Sequence, residues 1–258
     1  MFAAILKPKP VLDAETVDWM FDCFAWGLRN LDAGVFNNET ILVTPTNEHF
    51  PGSENSVQAM AQLIFDQVKG YAGVKHWPCR LVDENSIGTL PPASLSLQGP
   101  LRGSGGMVPT EVEESRYLPI PYNVDSMRDP EVMIANYAHV LAHYLASLVE
   151  EPPPGGEQNW PHVTELLAVF MGFGLMMANS AYTAKIRSCS SCASPAVERT
   201  NYLSQYDITY ALAIFCGLKD IAPKTVLPHL KKTLRPFYKK AYKEVIAQSE
   251  RLERLKAL

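Results

Sequence analysis

Thirteen consecutive residues, Leu166 to Ala178, carry no charge and are almost wholly apolar. Such a run must be shielded from water. It is too short for a bilayer, which takes about 20 residues, so it reads as a buried helix that other elements surround. Just before it, Glu-Glu-Pro-Pro-Pro-Gly-Gly-Glu-Gln-Asn at 150–159 forbids any continuous helix. Upstream of that breaker, Asp129-Pro130-Glu131 is a strong helix start: a capping acid, a proline with its φ already set, and a second acid at the positive end of the dipole. A helix to about Val149, a break, and a buried helix over Thr164–Ala181 therefore frame the second half of the chain.

The rest of that half is also helical. Ser204 and Asp207 form a capping-box pattern ahead of a third helix. A long charged helix over Pro228–Leu258 is predicted to kink at Pro236. The first half differs. Asp13 precedes a stripe of Val17, Met20, Phe21, Phe24 and Leu28, and residues 56–70 repeat that amphipathic pattern up to Gly70. Ile41–Thr44 reads as a short strand. Between 80 and 122, dense Gly, Pro and Ser surround short β-type runs at 80–82, 94–97 and 117–120, which predicts a small twisted sheet of loose hairpins with a flexible tip at Gly103–Gly106. The expected fold class is α+β in one domain over 1–258: helices plus a small sheet over 1–125, packed on a mainly helical portion over 126–258.

Five cysteines, an odd and low number for 258 residues, do not suggest a disulfide scaffold. They point to a reducing compartment, the cytoplasm. In the opening MFAAILKPKP the lysines follow the apolar run, the wrong order for a secretory signal. A net charge of -4 gives no global reason to expect nucleic acid. The tail from Lys219 is basic, with eleven Lys/Arg against four Asp/Glu, and reads as a solvated helix face. Neither a nucleic-acid nor a membrane partner is expected. No Walker loop, GxGxxG or GxSxG occurs. Met171, Met176 and Met177, with Gly172 and Gly174, read as close helix packing rather than a cofactor box.

The chemistry concentrates in Ala138-His139-Val140-Leu141-Ala142-His143-Tyr144. Histidines at i and i+4 share a helix face and can grip one divalent metal, usually zinc. Met133, Tyr137, Leu141, Tyr144 and Leu148 form the adjacent apolar stripe. The same spacing also fits two histidines with purely structural roles. Cys189 and Cys192 form a CxxC that suits half a zinc site, a redox pair or a disulfide.

Around these residues the chain resembles a bacterial group of small zincin-like proteins related to the gluzincin peptidases, mostly of unassigned function. The resemblance is carried by Asp129-Pro130, AHVLAHYLASL at 138–148, TELLAVFMGFGLMMANSA at 164–181, CSSC at 189–192 and NYLSQYDITYALAIF at 201–215. ILVTPTNEHFPG at 41–52 and GYAGV at 70–74 extend it to most of the chain. It implies a zincin-like fold, a zinc site on His139 and His143, and a structural role for the CxxC in pinning the 182–200 loop. It also marks a departure. Where H-E-x-x-H places the glutamate that polarises zinc-bound water, this chain has Val140, which can accept no proton. Losing a general base costs about 10²–10⁴-fold. Aligned on ELLAVF, Glu165 falls on the family's bracing Asp, and its ligand position falls on Pro161, which cannot bind metal. Glu165 itself, His162 or Glu157 is left as the third ligand.

The expectation is therefore a catalytically inactive zincin-like homologue, a pseudoenzyme binding a protein or peptide partner. The alternatives are a zinc-dependent hydrolase with a rearranged site, or an interaction protein without metal.

Overall fold

The computed structural model describes residues 10–84, 99–107, 117–123, 128–187 and 202–258, without side chains over 182–187. The strand expected at 94–97 and the CxxC at 189–192 lie outside the described residues.

The chain is α+β, with helices dominating. Helices α1 (Ala14–Asn30), α2 (Ala33–Asn38) and α3 (Val57–Tyr71) precede strands β1 (Cys79–Asp83) and β2 (Leu118–Tyr122). Then follow α4 (Pro130–Ser147), α5 (Trp160–Ala168), α6 (Gly174–Arg187), α7 (Gln205–Leu218), α8 (Pro223–Val226), α9 (Arg235–Ala247) and α10 (Ser249–Lys256).

The local start signals act as their chemistry requires. Asp13 caps α1 by accepting the Thr16 amide at 2.8 Å. Asp129 accepts from Val132 at the head of α4, and Ser204 and Asp207 close a reciprocal capping box on α7. From Ile208 to Leu218 every residue of α7 is buried. This helix packs against α6 and α9, while α4 packs against α5, α6 and α3.

One helical run, Glu157–Ala181 (25 residues), is long and apolar enough to cross a membrane by length and composition, yet its apolar stretch is buried within the fold and only its first turns reach the surface. It opens with a 3₁₀ turn at Glu157–Asn159, several residues before the predicted start, and Pro161 occupies the first turn of α5. It is not continuous either. Val169–Phe173 forms a π-type turn in which Gly172 adopts φ 99° and ψ 0°. The cause lies across the chain. Ile41–Thr44 passes the break, and the Val43 amide donates to the Gly172 carbonyl at 3.0 Å. A Cβ on Gly172 would sit 2.1 Å from the Ile41 carbonyl oxygen. The strand expected at Ile41–Thr44 does not form: the segment has no regular secondary structure and meets a helix break rather than another strand.

Three other expectations change. The sheet is a parallel pair rather than hairpins, with Cys79 opposite Leu118 and Asp83 opposite Tyr122. Gly103–Gly106 is no loose tip: the Gly103 amide donates to Gly73 O at 2.7 Å, and Ser104 donates its amide and hydroxyl to Glu39. Pro236 starts α9 instead of kinking a longer helix, and the tail breaks again at Gln248. A proline costs nothing in a first turn, where its missing N–H has no intrahelical partner in any case.

Candidate functional site

Helix α4 is buried nearly all round. Its most open edge runs Asn136, His139, His143, Ser147, one residue per turn. The i,i+4 spacing thus places both imidazoles on one edge, each half-buried. Val140, beside them, is 5% exposed and belongs to the core.

His143 lines a cleft of about 460 Å³ between the end of α4 and the start of α5. Ser147, Glu150, Glu157, Trp160 and Thr164 line it too; His139 does not. The His143 ring meets Tyr144 edge-on at 5.7 Å and makes no side-chain hydrogen bond among the described residues. Burial lowers its pKa below the ordinary 6.5, so at neutral pH the imidazole is uncharged and keeps a lone pair for a ligand. The loop that builds this cleft is held by α1. The Trp19 indole N–H donates to Pro154 O at 2.9 Å, and that of Trp26 donates to Glu151 O at 3.1 Å.

The candidate third ligands go to different places. Glu157 shares the cleft with His143. His162 faces α1 and the segment before α7, edge-on to Trp19 at 6.3 Å and to Tyr202 at 5.4 Å, and lines another cleft. Glu165 is fully buried, and its carboxylate accepts the amides of Tyr202 at 3.3 Å and Leu203 at 2.8 Å. It ties α5 to the approach of α7. Among the described residues no three His, Cys, Asp or Glu side chains converge as a metal-binding group. The geometry therefore supplies two imidazoles on one edge and two carboxylates, Glu150 and Glu157, lining the cleft of the second, without bringing three such groups together among the described residues. Cys216 is wholly buried, and burial pushes its thiol up to about 12, which makes it an inert core residue.

Sequence reasoning missed the two tryptophans that hold the loop. Their i,i+7 spacing on α1 was the available signal. It also missed Arg102, 1% exposed, which donates to Ala72 O and Thr40 Oγ1 beside the Phe170 ring. Burial brings its pKa down to about 10, so it stays cationic. Nothing in its sequence neighbourhood announces an internal strut.

The buried imidazoles predict a pH dependence. His143 and His76 both have pKa values lowered from 6.5 by burial. The unfolded chain binds their protons first, so stability is flat above about 6.5 and falls as pH drops through that value. In an NMR titration the His143 midpoint is expected below 6.5. A midpoint at or above that value would contradict the burial.

Compared with protein-family models, with curated proteins and with solved structures, the chain matches none.

Proposed function

We propose that the chain is a zincin-like protein without peptidase chemistry, a pseudoenzyme that works by binding a protein or peptide at the cleft beside His143. The observation that carries this reading is Val140. The position that would hold the proton acceptor is a buried aliphatic side chain packed into the core. Two further features support it. Glu165 uses its carboxylate on backbone amides, and His143 offers an uncharged ring to the cleft. Weak zinc affinity at His139 and His143 is compatible with this role, because two imidazoles can hold a metal loosely without activating water.

A peptide-hydrolysis screen of the full chain with added zinc tests it. The expected result is no cleavage above background, the same with or without chelator. Chelator-sensitive cleavage that disappears in His139→Ala would overturn the reading. One observation favours a second reading, a zinc-dependent hydrolase with a rearranged site: Glu157 lines the same cleft as His143. That reading requires zinc affinity to fall in Glu157→Gln as well as in His143→Ala.

A further inference from the structure

The loop over 150–159 also lines a second cleft, of about 510 Å³. Trp19, Tyr202 and His162 supply its aromatic lining, and Asp13, Glu15 and Asp207 its charge. Among the described residues no lysine or arginine lines it. Acids at helix starts are ordinary: Asp13 caps α1, and Asp207 serves the capping box of α7. By themselves they would make no site. Other features set the cleft apart. Tyr202 is 50% exposed although its ring sits against His162. The Nδ1 atom of His162 is buried and has no hydrogen-bond partner among the described residues. Among the described residues the Glu15 carboxylate forms neither a hydrogen bond nor an ion pair, and only one Asp207 oxygen is engaged.

Aromatic faces attract cations through the ring quadrupole, and more strongly where water is partly excluded. Carboxylates without a counter-charge add attraction of the same sign and repel anions. We propose that this cleft binds a cationic group, an ammonium or guanidinium, seated against Trp19 and Tyr202 with Glu15 and Asp207 as counter-charges. The shared chemistry admits two sources, a free polyamine or a lysine or arginine side chain of a peptide. The proposal is independent of the zincin reading, since it uses a different cleft and no metal.

Calorimetric titration of the full chain tests it with N-acetyl-lysine methylamide, a lysine-containing tripeptide, spermidine and neutral N-acetyl-norleucine methylamide. The cationic probes are expected to bind, with the norleucine compound at least about tenfold weaker. Tyr202→Ala and Glu15→Gln should each weaken binding roughly three- to tenfold. Glu54→Gln, the same charge change at an exposed position elsewhere, should leave it unchanged. Tighter binding of the tripeptide than of spermidine assigns the peptide source, and the reverse order assigns the free amine. The proposal is overturned if no cationic probe binds up to roughly 10 mM. Equal binding of norleucine, or wild-type affinity in both Tyr202→Ala and Glu15→Gln, overturns it too.

Discussion

Gly172→Ala is expected to destabilise the protein on the order of 4 kcal/mol, among the larger effects a single methyl group can have. Two terms add. Alanine at φ 99° leaves the allowed regions for L-residues and costs about 1–2 kcal/mol. The new Cβ would also lie 2.1 Å from the Ile41 carbonyl oxygen. That oxygen belongs to backbone, which cannot swing aside without disturbing the Val43–Gly172 hydrogen bond. At about 2–4 °C per kcal/mol for a chain of this size, the melting temperature should fall by roughly 10 °C. Gly70→Ala is the control: a Cβ there meets nothing within 4 Å, and alanine in a helix should be neutral or stabilising by about 0.5–1 kcal/mol. Equal melting temperatures for the two variants would mean that the helix does not break at Gly172 against Ile41–Thr44.

Glu165→Ala should cost about 3 kcal/mol. It removes an ionic acceptor from two amides, and the Leu203 amide is left buried without a partner. Glu165→Gln keeps one acceptor oxygen and should cost less. The informative comparison is with zinc. As a backbone anchor, Glu165 lowers the melting temperature when removed, with or without metal, and leaves zinc affinity within a few-fold. A variant that melted like the wild type but lost more than about tenfold in zinc affinity would make the carboxylate a ligand instead.

These two residues also show where sequence reading stops. The caps at Asp13, Asp129 and Ser204 were legible because a cap is decided within four residues of itself. The shared edge of His139 and His143 was legible because helix geometry alone sets it. Gly172 was not. It sits in an apolar run with helical periodicity, and its conformation depends on a chain segment about 130 residues upstream. The amides that occupy Glu165 lie 37 and 38 residues downstream, so its sequence context suggested a metal ligand or a residue that braces one. The parallel pairing of β1 with β2 was equally hidden, because two short runs so far apart carry no local signal of direction. Pro236 was ambiguous in principle: the same residue kinks a helix or starts one, and here a turn over 232–234 precedes it, so that α9 begins at Arg235.

The two indole bonds from α1 to the loop over 150–159 have a mechanical consequence. Glu150, Pro152 and Glu157 border the recess beside His143, whereas Gly155 and Asn159 border the aromatic one. The loop is a party wall with its two rivets on a single helix. A guest that pushes the wall outward in one room must narrow the other or lever α1 off its seat. Neither recess can therefore be resized alone, and a change at Trp19 or Trp26 reshapes both.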